Sequence, residues 1–527
     1  MKRILYNAII NPVDANHPNA TALVIEDGKI LNIGESEILL AEFLNCRKQD
    51  MGGKVILPGL TDAHIHLHEY GASLEKVDCE TNSREECLQR LAKKAKDTPT
   101  GEWILGHGWN QNNWVGGFGT SAMLDAVAPS NPVYLTAKSL HAGWANHEAL
   151  ELAGITSKTT DPKNGRITRD EHGEATGILF EDAMQLVSRV ITKSDLDSVA
   201  RVIDKAQHEL WKVGLTGVHD FDGNLCFSAL KLLHGRKQLG LRVLKSIAKE
   251  DLSQAIEIGL RSGFGDDTLR IGSLKLFADG ALGPHTAAMF IPFVDENENY
   301  GILNLNKEEL FEIGSLAVDN GISLAVHAIG DRANHEVLEG FSELRKYEKM
   351  KSYPQLRHRI EHVQLLHPAD MGKLSELNLI ASMQPIHAPS DMRMAEKEWG
   401  DRCAYAYAWK TQMEFGTRLA FGSDAPVESP NPFWGLHAAV TRQELDGSPN
   451  EVGWHSEQCL TVLETLQAYM ETPAYAAGME NRSGKIKEGF LADLIILDQD
   501  PFKCPPNELF NLKPLATMVG GEWVWES

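Results

Sequence analysis

Eight short apolar runs, several of them separated by helical stretches, constrain this chain more than any other feature. The first, Val55 to Leu60, is broken by Pro58 and Gly59 and leads directly to His64 and His66. The others are VGLTGVHDFD (213–222), LRVLKSIAKE (241–250), IGSLKLFADG (271–280), GISLAVHAIGD (321–331), RIEHVQLL (359–366), LIASMQPIHA (379–388) and RLAFGSDAPV (418–427). KEELFEIGSLAVDN and PADMGKLSELN read as helices in the gaps. Strands alternating with helices predict a parallel sheet, because a parallel crossover needs a long connection that a helix supplies. Eight such units predict a closed (β/α)8 barrel of the TIM type, in an α/β fold. An open doubly wound sheet is the competing architecture, but no Gly-rich dinucleotide turn follows the first strand.

The two ends follow a different rhythm. ILYNAII, ATALVIEDGKILNIG and GGKVILPG alternate strand patterns with turns, and Asp27-Gly28 is a strong hairpin signal. GFLADLIILD and PLATMVGGEWVWE repeat that style, with Gly520-Gly521 as the turn. Chain ends often lie close together. The expected organisation is a small composite β-sandwich from residues 1–57 and 475–527, and a barrel over 58–474. Residues 70–180 are too long for a bare connection between the first two barrel strands. Rich in tryptophan (Trp103, Trp109, Trp114, Trp144), they are expected to form an inserted lid subdomain on the C-terminal face.

A net charge of -22 and the lack of a basic stripe argue against nucleic acid or an anionic membrane as partner. The seven cysteines are scattered, with no Cys-x-x-Cys pair, which suits a reducing compartment. MKRILYNAII lacks a full signal-peptide core, and no apolar window is long enough to span a membrane. A cytoplasmic protein acting on a small molecule, assembled as a homodimer, is the expectation.

The strand ends carry the chemistry. Residues i and i+2 of a strand share a face, so His64 and His66 should point one way and form half a metal site. Lys275, His327, His362 and Asp424 fall at the ends of the fourth, fifth, sixth and eighth runs, which converge on one mouth in a barrel. Each has a plain structural reading alone: His362 paired with Glu361, His327 in the core, Asp424 as a turn cap. Together, four histidines, a lysine and an aspartate at one mouth would be costly to desolvate without a cation. Weaker candidates for substrate contact are His219, Asp279 and His285 near strand ends, and Trp109, Asn110, His141 and Trp144 in the insertion, although the core of the insertion is the better reading for the tryptophans. No Gly-x-Ser-x-Gly elbow, His-Glu-x-x-His or phosphate loop supports a competing reaction class.

Taken together, DAHIHLHEYG, KLFADGALGPHTA, VHAIGDRAN, IEH, FGSDAPVESPNP and SGKIKEGFLADLIILD resemble the amidohydrolase superfamily of metal-dependent hydrolases. In the insertion, PVYLTAKSLHAGWANHEALELAGI and GRITRDEHGEATGILFEDA resemble its YtcJ-like branch, which includes N-substituted formamide deformylase. The resemblance implies that His64 and His66 hold a more buried metal and His327 and His362 a second one. It further implies that Lys275 bridges the two as a carbamate made with carbon dioxide, and that Asp424 is both ligand and general acid–base. Two divalent ions are implied, zinc first and manganese or iron(II) as alternatives. The implied reaction is attack of a metal-activated hydroxide on an amide-type, non-peptide C–N bond, such as that of an N-substituted formamide. A cyclic amide or imide hydrolase, an ester hydrolase or a deaminase on the same centre remains open, as does a non-catalytic scaffold relative.

Overall fold

The computed structural model describes residues 2–11, 20–111, 114–137, 142–163, 165–191, 195–296 and 298–527. These fall into two compact units, one of residues 1–70 with 203–527 and the other of residues 71–202.

The first unit contains an eight-stranded sheet whose strands run in chain order with parallel neighbours. We number them β1 (Leu60–Ile65), β2 (Leu215–Asp220), β3 (Arg242–Ala248), β4 (Leu269–Phe277), β5 (Leu324–Ala328), β6 (Arg359–His362), β7 (Ile380–Met383) and β8 (Arg418–Phe421). Each falls within or overlaps an expected run. A parallel bridge between Ile65 and Ala425 joins the two outer strands just beyond β8, giving a TIM-like barrel. Strand interiors such as Leu324–Val326 and Ile380–Met383 are fully buried, as expected of a parallel sheet covered on both faces. The helix Lys307–Asp319 starts at a reciprocal capping box between Asn306 and Glu309. The second expected helix, PADMGKLSELN, is split into a 3-10 helix, Pro368–Asp370, and a one-turn α-helix, Lys373–Glu376, on either side of Gly372.

Both chain ends contribute to the small sheets. Lys29–Gly34, Ala22–Glu26, Arg3–Tyr6 and Arg47–Asp50 form one of four strands. Ile9–Ile10, Val55–Pro58, Leu494–Leu497, Pro514–Val519 and Glu522–Glu526 form another of five. Leu5, Leu23 and Ile25 from the first pack with Ile56, Leu494, Ile496 and Met518 from the second in one apolar cluster. Asp27 and Gly28 turn the first hairpin with φ of 48° and 77°, the positive pair a tight hairpin requires.

The first apolar run thus serves two sheets. Val55–Pro58 pairs antiparallel with Leu494–Leu497, and β1 starts two residues later, after Gly59. A Cβ on Gly59 would meet Thr216 Oγ1 at 2.3 Å, so only glycine lets the chain cross there.

The second unit is built on a sheet ordered Gly165–Arg169, Ala175–Glu181, Ala142–Ala145, Val133–Ala137, Ile104–Trp109 and Val77–Asp78. Trp109, Trp114 and Trp144 lie in its apolar core. Among the described residues, no helix is long and apolar enough to cross a membrane.

Candidate metal centre

β1 ends in Asp62-Ala63-His64-Ile65 with His66 directly after it, and barrel closure fixes how these residues face β8. Asp424 N–H donates to the His64 carbonyl at 2.7 Å, and His66 N–H to the Ala425 carbonyl at 2.9 Å. Buried Asp62 accepts from His64 N–H and from the amide and hydroxyl of Ser423, tying β1 to the segment after β8. A Cβ on Gly422 would meet the His64 nitrogen at 2.4 Å, so this approach also demands glycine. Asp424 sits at φ 61° and His362 at φ 74°, a left-handed backbone that turns each side chain at the end of its strand.

These turns bring four imidazoles and a carboxylate together. His64 Nε2 and His66 Nε2 lie 3.5 and 3.6 Å from Asp424 Oδ1. Ring centroids are 4.8 Å apart for His64 and His362, and 4.5 Å for His327 and His362. Each ring has one nitrogen anchored. His64 Nδ1 meets Glu361 at 2.6 Å, His66 Nδ1 meets Asp222 at 3.1 Å, and His362 Nδ1 meets Gln384 Oε1 at 2.9 Å. For His327 the anchored atom is Nε2, which donates to the Gly280 carbonyl at 2.8 Å. In a neutral ring with that nitrogen protonated, the other carries the lone pair a metal needs.

Electrostatics favour neutral rings at three of these positions. Burial, reinforced by neighbouring positive groups such as Lys275, holds His64 and His362 well below the usual imidazole range and His327 down to about 4. His66 differs: burial lowers it, but hydrogen bonding and charge from Asp222 outweigh that and raise it. Lys275, inside the mouth on β4, has Nζ over the rings of Phe221 at 4.4 Å and Phe277 at 5.0 Å. Burial lowers it to about 8. Burial also raises Asp424, although His387, His66 and Lys275 oppose the shift. Anchored neutral imidazoles, a carboxylate within reach and a lysine poised to lose its proton form a donor set that fits a divalent cation.

The chain therefore has the architecture and donor set of a metal-dependent hydrolase barrel. It belongs to the amidohydrolase family, whose model matches residues 48–525. It is 30% identical over 537 residues to the putative amidohydrolase YtcJ of Bacillus subtilis (strain 168), covering 100% of both chains. It is 28% identical to N-substituted formamide deformylase of Arthrobacter pascens, covering 98% of this chain and 97% of that one. An uncharacterized metal-dependent hydrolase from Pyrococcus furiosus superposes with a TM-score of 0.79 at 30% identity, covering 95% of this chain and 100% of that one.

Several expected substrate contacts are engaged by other groups of the chain. His219 is buried inside the barrel, where its Nδ1 accepts from Arg359 at 2.8 Å. His285 has Nδ1 at 2.9 Å from Glu296 and Nε2 at 3.4 Å from Glu398, and its ring stacks on Phe293. Asp279 accepts backbone N–H bonds from Ala288, Ile329 and Gly330, so it anchors loops; burial raises it to about 7 against those donors. Trp109 and Trp144 are fully buried in the core of the 71–202 unit, with their indoles donating to the carbonyls of Leu135 and Thr120. Asn110 is half-buried in that unit, and His141 lies outside the described residues.

Other residues of the site were not anticipated. Glu361 supports His64 across the barrel and not its neighbour His362. Arg359 holds Glu361 through Nε at 2.5 Å; burial would raise that carboxyl, but Arg359 and then Lys275 keep it low. Asp222 and Gln384 follow β2 and β7, and their position at strand ends was the available signal. Asp220, Asp222 and Cys226 form a second buried cluster, but Lys245 already meets Asp220 at 2.8 Å.

Proposed function

We propose that the chain hydrolyses an amide-type C–N bond, other than a peptide bond, in a small molecule, with an N-substituted formamide as the leading substrate. The observation that carries this reading is the set of four anchored imidazoles beside Lys275 and Asp424 at one barrel mouth. The full-length likeness to N-substituted formamide deformylase supports the substrate class. His64, His66, His327, His362 and Asp424 would hold two divalent ions, zinc first, with Lys275 as a carbamate between them. A lysine lowered to about 8 supplies the neutral amine that adds carbon dioxide and releases a proton. Bound metal supplies a Lewis acid and lowers the pKa of water.

The chain's own residues do the rest. Asp424 accepts a proton from the attacking water as the O–C bond forms, then delivers it to the nitrogen as the C–N bond breaks. Glu361, Asp222, Gln384 and the Gly280 carbonyl keep the imidazoles oriented throughout. The test is a turnover screen of N-alkylformamides, linear amides, cyclic imides, lactones and aminopyrimidines with zinc- and manganese-loaded protein. Formate release that chelation abolishes and metal restores is the expected result. Turnover confined to the cyclic or ester substrates would replace the formamide assignment, and full activity in verified metal-free protein would overturn the metal reading.

A further inference from the structure

One buried group at the barrel mouth has no role in this scheme. His387 begins the helix His387–Trp399, which follows β7. Its Nε2 is buried and has no hydrogen-bond partner among the described residues. That nitrogen lies 3.9 Å from Asp424 Oδ2, and the ring centroid is 6.4 Å from that of His362. On the far side Nδ1 is 4.0 Å from Asp391 Oδ2, which accepts a hydrogen bond from the Tyr407 hydroxyl at 2.5 Å. Tyr407 is itself fully buried. A carboxylate held by a buried tyrosine therefore backs the imidazole, whose other edge faces Asp424.

A buried ring nitrogen without a partner is costly, and native structures keep such groups mainly where a ligand completes them. The geometry favours the tautomer whose Nε2 carries the hydrogen, since a lone pair there would confront the lone pairs of Asp424. A donor preset at this position needs no reorganisation when charge develops on a substrate oxygen. We propose that His387 is a further catalytic residue, donating from Nε2 to the oxygen of the scissile group bound beside Asp424. The assignment rests on the small-amide reading above. It differs from the roles of the other histidines in that His387 touches substrate and holds no metal.

The test compares the metal-loaded parent with His387→Gln, which keeps an N–H donor, and His387→Leu, which keeps bulk without one. Metal content, melting temperature, kcat and KM on the substrates of the screen are measured, together with formate binding by calorimetry as a readout independent of turnover. The expected result for His387→Leu is parental metal content, formate affinity weaker by about tenfold and kcat lower by about a hundredfold. His387→Gln should recover part of both. Parental formate affinity and kcat in a fully metallated His387→Leu variant would overturn the proposal, as would a parent that binds no formate. If no amide is turned over but formate binding still depends on His387, the amide reading falls and the donor role stands. If amides are turned over equally well by all three proteins, the donor role falls and the amide reading stands.

Discussion

A lysine buried in the mouth of a barrel must shed its proton or find negative charge, and Lys275 is lowered from 10.5 to about 8 chiefly by burial. Between those values the unfolded chain binds a proton that the folded one does not, so stability rises with pH through that window. Below pH 8 both states are protonated and the penalty is fully present, on the order of 3 kcal/mol. Metal-free Lys275→Met should therefore be more stable than metal-free parent at pH 7, with the gap closing towards pH 10. Urea unfolding at both pH values checks this, and a parent more stable than the variant at pH 7 would contradict it. Asp424 calls for a different substitution. Asp424→Asn keeps the shape and one oxygen but removes the base, so most metal should remain while turnover falls about a hundredfold or more. Metal analysis beside kcat separates the two effects, and near-parental kcat would assign the base elsewhere.

Among the elements, β6 is the most heavily committed: Arg359 holds Glu361, Glu361 holds His64, and His362 completes the imidazole group. Glu361→Gln keeps the size but loses the charge that orients His64, and should weaken metal binding by about 10- to 100-fold. Competition with a chromophoric chelator measures it; unchanged affinity would make Glu361 a packing residue. This chain of support was hidden in the sequence because its links are far apart. His64 and Glu361 are 297 residues apart, and His66 and Asp222 are 156 apart, so no local pattern pairs them. The barrel strands were legible for the opposite reason, since a short apolar run bounded by turns is a local signal. The tryptophans of the insertion were harder to place, because aromatic clusters mark ligand walls and cores alike. With Trp109 fully buried against Trp114 and Trp144, Trp109→Ala should destabilise the 71–202 unit by about 3–5 kcal/mol. Proteolysis within that unit, compared with the parent, reports the loss, and parental resistance would speak against it.

At the scale of the whole molecule, the hairpin signals at both ends and the period of the barrel could be read directly. The sharing of one apolar run between two sheets could not, because Pro58 and Gly59 look like a simple break until Leu494–Leu497 is found beside Val55–Pro58. That pairing makes the lead-in to the first barrel strand depend on a segment synthesised long after it. While a ribosome is still working through residues 425–490, His64 and His66 are long since made, yet the strand that pairs with their lead-in does not exist. Asp424, from the end of β8, is also a late arrival. The centre should therefore be completed abruptly only once residues 494–497 have been made, and nascent chains stalled at residue 480 should retain far less divalent metal after gel filtration than chains stalled with residue 527 outside the exit tunnel. Equal retention at the two stall points would show that the barrel mouth forms without its C-terminal partner strand.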